Sequence, residues 1–175
     1  MQFKPVPEPP DDLEGVEPIL AAVPTDAGAV EDCCAHLLEE TRLESRSDAE
    51  TWLTFLRALE LVTEESAGYR RVGPSSPRDR VLEIQHLQRA FRRRVYGVDS
   101  VLEALERVEW PLNDGEMFTA IRDDVPAFDR EGDTDRLETH WIERVRRLLE
   151  WGVLFGLIER TADGRYRLAT EPSCQ

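Results

Sequence analysis

Two segments of this chain, residues 61–72 and 157–168, repeat one pattern of apolar and turn residues at a spacing of 96 positions. In each segment an apolar run, a polar tip with glycine and a returning run follow one another, as in a β-hairpin. A tryptophan-containing amphipathic helix precedes each segment, so we predict two helix-helix-hairpin units. Without a gap, the aligned pairs include Leu61 and Leu157, Gly68 and Gly164, Arg71 and Arg167, and Val72 and Leu168.

The first unit is expected to contain two helices before its hairpin. Apolar spacing predicts a helix from Val30, and Ser47 with Glu50 has the pattern of a capping box, which predicts the start of the second helix. The proline-rich, acidic residues 1–14 bury too little apolar surface to fold and are expected to be a disordered tail. The first unit is therefore expected to comprise residues 15–74.

A connecting helix is predicted over residues 75–96, beginning at Ser76 and Pro77 and ending before Gly97. The second unit, residues 97–169, is expected to contain helices over 99–108, around 117–125 and over 135–151, with a loop at 129–134. Residues 170–175 form a tail in this plan. The predicted fold class is mainly α with small β-hairpins (α+β).

The segments around both hairpins resemble the recognition helix and wing of winged helix-turn-helix proteins. The residues that carry the resemblance are 147–152 (RLLEWG), 156–160 (GLIER) and 164–168 (GRYRL), with 52–62 (WLTFLRALELV) and 68–72 (GYRRV) in the first half. It covers residues 16–72 and 98–169 and identifies no individual family. The resemblance implies a tandem pair of winged-helix units.

The charge balance is unusual, with 36 acidic and 22 basic residues, a net charge of −14, and Lys4 as the sole lysine. This profile resembles cytoplasmic proteins of extremely halophilic archaea, since a strongly acidic surface stays soluble in molar salt. The alternative is an acidic mesophilic protein with a basic partner. With a halophilic origin, the acidic total says little against nucleic-acid binding.

Cysteine usage and hydropathy predict a cytoplasmic protein without a membrane partner. Cys33, Cys34 and Cys174 have no spacing typical of a disulfide framework, which favours a reducing compartment. The apolar runs are shorter than the roughly 20 residues that span a bilayer, and the start lacks a signal-peptide pattern.

Positive charge is concentrated in residues 70–94, which hold eight basic and two acidic residues. Arginine forks match phosphate oxygens, so this segment is a candidate contact with a nucleic-acid backbone. The alternative is that these arginines pair with acidic surface of their own or a neighbouring subunit. The basic residues are Arg70, Arg71, Arg78, Arg80, Arg89, Arg92, Arg93 and Arg94.

The outward helix faces differ between the units. In a helix-turn-helix module the second helix presents its outward side chains to base edges. In the first unit that face carries Glu50, Thr54, Arg57 and Ala58, which suits a polyanion poorly. In the second unit it carries Arg136, His140, Glu143 and Arg147, with Arg144 at its edge and Arg165 and Arg167 on the wing.

No catalytic, cofactor or metal site is predicted. Cys33, Cys34 and His36 are metal-ligand types, but adjacent helical cysteines point about 100° apart and no second ligand pair accompanies them. The chain also lacks a phosphate-binding glycine loop and a nucleophile elbow. We therefore expect no enzyme.

Two functions remain open from the sequence. The first is a transcription regulator that binds double-stranded DNA through tandem winged helices. The second is a winged-helix adaptor that binds proteins in a replication, transcription or chromosome-organising complex, which the acidic face of the first unit favours. The arginine-rich helix also offers a surface for a homodimer.

Overall fold

The computed structural model describes residues 6–29, 31–72, 84–122 and 134–169, with side chains from residue 138 onward in the last range. This part of the chain contains seven α-helices and two antiparallel hairpins. The predicted fold class is confirmed. The chain divides into two compact units, Met1–Val95 and Tyr96–Gln175. The helix start predicted at Ser76 and Pro77, most of the loop predicted at 129–134, Arg78, Arg80 and both ends of the chain lie outside the described residues.

The first unit begins with a 3-10 turn at Leu13–Val16, which the Asp12 side chain caps by accepting a hydrogen bond from Gly15 N–H. Val6, within the segment expected to be a disordered tail, is only 3% exposed. The elements that follow are α1 (Glu17–Ala22), α2 (Cys33–Glu40), α3 (Arg46–Ala58), β1 (Val62–Glu65), β2 (Gly68–Arg71) and α4 (Ile84–Arg94).

The cap of α3 differs from the prediction. Ser45, not Ser47, is the N-cap: its backbone is extended and its hydroxyl accepts a hydrogen bond from Asp48 N–H at 3.1 Å. Ser47 is already inside the first helical turn, so it cannot adopt the extended cap conformation. Glu50 instead lies 3.6 Å from Arg46, one turn earlier on the helix.

Helix α4 packs against the first unit. Leu87, Ala90 and Phe91 are buried, and the Phe91 ring meets the Phe55 ring of α3 edge-on at 6.4 Å. His86 Nε2 lies 3.1 Å from the carbonyl oxygen of Leu59, at the end of α3. The segment that the sequence assigns to a connecting helix is thus anchored to α3 over the residues that the structure describes.

The second unit contains α5 (Val98–Arg107), α6 (Asp114–Ile121), α7 (Thr134–Leu154), β3 (Ile158–Arg160) and β4 (Tyr166–Leu168). Asn113 and Glu116 form a capping box at the start of α6. The apolar stripe of α7 forms much of the core of the second unit, and Trp52 of α3 is likewise buried in the first. The buried residues of α7 include Trp141, Val145, Leu148, Leu149 and Trp151.

Both hairpins consist of paired antiparallel strands, as predicted. Val62 pairs with Arg71, whereas Ile158 pairs with Leu168. The gapless alignment is therefore right for the first strand of each hairpin and wrong by one residue for the returning strand. The structurally matched pairs there are Tyr69 and Tyr166, Arg70 and Arg167, and Arg71 and Leu168.

The extra residue lies at the tip of the second hairpin. Two residues separate Glu65 from Gly68 in the first tip. In the second, Thr161 N–H donates to the carbonyl of Arg165 at 2.8 Å, so three residues form the turn. Gly164 supplies the positive φ, 81°, that such a turn requires.

The helix that precedes the hairpin in each unit ends in the same kind of turn. Leu61 N–H donates to the carbonyl of Leu56, and Leu157 N–H donates to that of Gly152. This bond is typical of a Schellman motif, which needs a left-handed residue just after the helix. Glu60, with φ 62°, and Gly156, with φ 77°, occupy that position.

A third segment joins each hairpin. In the second unit the backbones of Leu112 and Tyr166 exchange two hydrogen bonds of 2.9 and 2.8 Å, and in the first Arg71 N–H donates to the carbonyl of Pro24. The order helix, short strand-like segment, helix, helix, hairpin is the winged-helix arrangement in both units. No helix in the ranges described here is both long and apolar enough to cross a membrane.

Candidate nucleic-acid interface

Helix α4 presents the most basic surface of the first unit. Its sequence contains no acidic residue, and arginines 89, 92, 93 and 94 are exposed. Three of these lie in the last turn, where cations also interact favourably with the helix dipole. Their position therefore has a structural explanation beside a functional one.

Glu60 binds the end of this helix. Arg93 Nη2 lies 2.6 Å and Arg94 Nη1 lies 3.6 Å from the same carboxylate oxygen, and His86 lies 3.8 Å from the other. Arg93 is nevertheless 69% exposed at its side chain. Pairing of the basic segment with the acidic surface of its own unit, one of the two alternatives, is thus observed for these two arginines and also for Arg70, which pairs with Glu65.

The arginines of the first hairpin are held close to their own unit. Arg70 pairs with Glu65 at 2.7 Å, and Arg71 is half-buried beside the Pro24 segment. The tip packs on a neighbouring loop, since a Cβ added to Gly28 would lie 3.2 Å from the Cβ of Ala67. The tip is therefore held to the unit and carries acidic residues on its exposed side.

The outward face of α3 matches the sequence expectation for a surface that suits DNA poorly. Glu50 is exposed, and Arg57 Nη1 pairs with Glu64 of the hairpin at 2.7 Å. The face consequently has little net positive charge.

Helix α7 of the second unit carries a mixed face. His140 is exposed, while Glu143 accepts two hydrogen bonds from Arg146 and lies 3.4 Å from Arg147 Nε. The hydrogen bond from Arg146 is the main reason why the pKa of Glu143 is lowered. Arg136 lies on the same helix, but its side chain is outside the described part.

Arg144 does not lie on the outward face. It is 9% exposed, donates a hydrogen bond to the carbonyl of Tyr96 at 3.0 Å, and its guanidinium lies 6.0 Å from the centre of the Trp141 ring. Positions 141, 144 and 148 share one face of a helix, which is the buried one. Burial lowers the pKa of Arg144 to about 10. We therefore assign Arg144 to the packing of the unit.

The second hairpin carries the remaining predicted arginines. Arg165 Nη1 lies 2.5 Å from Glu116 of α6, and Arg167 Nε lies 3.0 Å from Glu159 on the opposite strand. The Arg167 side chain is 59% exposed. A Cβ added to Gly164 would meet no atom of the described residues within 4 Å, so the described part of the unit leaves this tip, unlike the first, uncovered.

In each unit an ion pair beside the matched tyrosine connects the hairpin to the helix that precedes it. The charges of the helix residue and the strand residue are reversed between the two units. In the first unit a helix arginine meets a strand glutamate, Arg57 and Glu64. In the second, a helix glutamate, Glu150, lies 3.2 Å from Arg160 of β3 and accepts a hydrogen bond from the Tyr166 hydroxyl at 2.5 Å. Burial raises the pKa of Tyr166, and the bond to Glu150 adds to the effect.

The sequence did not predict several glutamates that pair with arginines of the two units, among them Glu60, Glu116 and Glu150. For Glu60 a signal existed, because the repeat aligns it with Gly156 and so marks a position of positive φ. The other two are ordinary helical glutamates whose partners are distant in the chain.

Cys33 and Cys34 belong to the core of the first unit. Both Cys33 and Cys34 are buried, and burial raises the pKa of Cys33 to about 11, so its thiol stays protonated. Among the described residues, no group of three or more metal-ligating side chains is placed to hold an ion.

The comparisons with known proteins identify the family. No curated protein and no solved structure matches the chain. A family model, the halobacterial double winged helix domain, matches residues 1–171. The matched range includes both winged-helix units. The halobacterial description of the family agrees with the acidic composition of the chain. The chain belongs to the halobacterial double winged helix domain family.

Proposed function

We propose that the chain binds double-stranded DNA and regulates transcription, with the second unit making the main DNA contact. The observation that carries the proposal is the open hairpin of that unit, on which Arg167 is largely exposed and Arg165 half-exposed. His140 and Arg147 on α7 occupy the positions from which a recognition helix contacts DNA. Arg136 joins them on sequence grounds.

The arginines of α4 are proposed as additional backbone contacts. Arg89, Arg92 and Arg93 are exposed on a helix without acidic residues. Arginine makes bidentate hydrogen bonds with phosphate, and exposed ion pairs such as Arg93–Glu60 are weak enough to exchange partners. The first hairpin and the outward face of α3 are left out of the proposal because their exposed sides carry the acidic residues Glu50, Glu64 and Glu65.

The test is fluorescence anisotropy with genomic DNA fragments in concentrated KCl. We expect Arg147→Glu and Arg93→Glu each to weaken binding by about tenfold or more, because each replaces a phosphate-binding cation with an anion. Arg42→Glu and Arg107→Glu are matched controls, since both arginines are exposed and lie outside the proposed contact. If all four variants lose the same amount of DNA affinity, the loss comes from the change in net charge and not from the proposed contacts.

A second candidate function, a protein-binding adaptor, is favoured by a different observation. Trp110, in the segment after α5, is 61% exposed, which is unusual for so large an apolar side chain. If folded wild-type protein binds none of the DNA fragments, the DNA proposal fails and the adaptor becomes the better explanation.

A further inference from the structure

Three arginines of the second unit are assigned to DNA and have side chains that the structure describes. Each of them pairs with a carboxylate of the same unit. The nitrogen–oxygen distances are 3.4 Å for Arg147–Glu143, 2.5 Å for Arg165–Glu116 and 3.0 Å for Arg167–Glu159. The three carboxylates belong to α7, α6 and β3. The pairing is thus a repeated property of this surface and is not confined to one cluster.

These carboxylates accept hydrogen bonds from the same guanidinium donors that a phosphate would use. DNA phosphates must therefore displace the carboxylates to bind the arginines. All six side chains are between 32% and 59% exposed, so the pairs are screened by water and salt. Displacing the carboxylates from the arginines therefore costs little free energy.

The displacement changes the salt dependence of binding. An ordinary arginine–phosphate contact releases about 0.9 cation from DNA, so affinity falls as salt rises. Here each new contact also exposes a carboxylate, fully at Glu116 and Glu159 and in part at Glu143, which keeps its hydrogen bonds from Arg146, and the exposed carboxylate takes up K⁺ from concentrated KCl. A phosphate loses a cation and a carboxylate gains one, so the two changes nearly cancel.

We infer that Glu116, Glu143 and Glu159 act as internal competitors of the DNA phosphates, and that this exchange reduces the dependence of DNA binding on KCl concentration. The inference rests on the proposed DNA-binding function. It supplies a physical route by which arginine–phosphate contacts persist at molar salt, where ordinary contacts of this kind weaken steeply.

The test compares the wild type with the triple variant Glu116→Gln, Glu143→Gln and Glu159→Gln by anisotropy from 0.5 to about 2 M KCl, a fourfold range used for the estimates that follow. The contacts of Arg136 and of the α4 arginines keep their ordinary salt dependence, so the wild type should lose affinity as salt rises, but less steeply than the variant. The variant loses the competitors, so its affinity should fall by a further factor of up to roughly 40 over that range, as about 0.9 cation per contact predicts for three contacts. At the lowest salt it should bind more tightly than the wild type, on the order of tenfold. Glutamine at position 116 retains the capping-box acceptor.

The matched control is Glu103→Gln, Glu106→Gln and Glu109→Gln, which makes the same change in net charge at exposed residues of α5 and the segment after it. This control should keep the salt dependence of the wild type. Circular dichroism melts verify folding, and Glu159→Gln alone, which should steepen the slope by about 0.9, replaces the triple variant if that variant does not fold.

The outcomes separate the inference from the proposed function. Binding with the same salt slope in wild type and variants overturns the exchange and leaves DNA binding intact. If the folded wild type binds no DNA at any salt concentration, the proposed function fails, and the exchange fails with it.

Discussion

Glu60 has a left-handed backbone that the second unit assigns to a glycine, Gly156. For a residue with a Cβ this conformation costs roughly 1 kcal/mol or more. The cost is offset by the carboxylate, which lies within 4 Å of Arg93, Arg94 and His86 and so joins the end of α3 to α4. The free-energy cost of the left-handed backbone and the gain from the ion pairs are of similar size, so the two effects must be measured separately.

Two substitutions separate these effects. Glu60→Gln keeps the strained backbone and removes the charge, so it should lower the free energy of unfolding by about 0.5–1 kcal/mol. Glu60→Gly removes both, and we expect it to be more stable than Glu60→Gln by about 1 kcal/mol. Urea unfolding in KCl measures the difference. A glycine variant less stable than the glutamine variant would show that the backbone at this position is not strained.

At the level of elements, sequence patterns predicted the helices and hairpins because burial repeats locally, every two residues or about 3.6. They failed where a single residue decides the outcome. The N-cap of α3 is Ser45 and not the predicted Ser47. One extra residue at the tip of the second hairpin changes the register of its returning strand. Partners of arginines were also unpredictable, since Arg165 pairs with Glu116, 49 positions away, in a chain with 36 acidic residues.

The contact between α7 and β3 depends on Gly152. A Cβ at this position would lie 2.5 Å from Cδ1 of Ile158, a buried residue of the hairpin. Gly152→Ala should therefore destabilise the second unit by about 1–3 kcal/mol, although alanine favours helices by up to about 1 kcal/mol. Thermal unfolding followed by circular dichroism measures the change.

A double variant tests the cause. Ile158→Val removes Cδ1, so Gly152→Ala should cost less in the Ile158→Val background than in the wild type. Gly115→Ala is the matched control, because a Cβ there would lie at an ordinary 3.5 Å from Asn113 within α6. If Gly152→Ala and Gly115→Ala behave alike, close packing is not the role of Gly152.

For the whole molecule, negative charge is in excess in both units. Residues 1–95 contain 12 basic and 18 acidic residues, and residues 96–175 contain 10 and 18. Salt acts on these charges in two opposing ways, because it screens the repulsion between carboxylates and also weakens the arginine pairs. Exposed pairs contribute at most about 1 kcal/mol each, whereas the repulsion is summed over all 36 acidic residues. Screening of repulsion should therefore dominate.

We expect the midpoint of thermal unfolding to rise by about 5–15 °C as KCl increases from about 0.2 to 2 M, a few kcal/mol for a chain of this size. The variant Glu103→Gln, Glu106→Gln and Glu109→Gln carries three fewer negative charges and should show a smaller rise. Sucrose at matched osmolality should give a smaller rise as well, because it does not screen charge. A midpoint that falls with KCl would mean that the arginine pairs contribute more to stability than the repulsion removes.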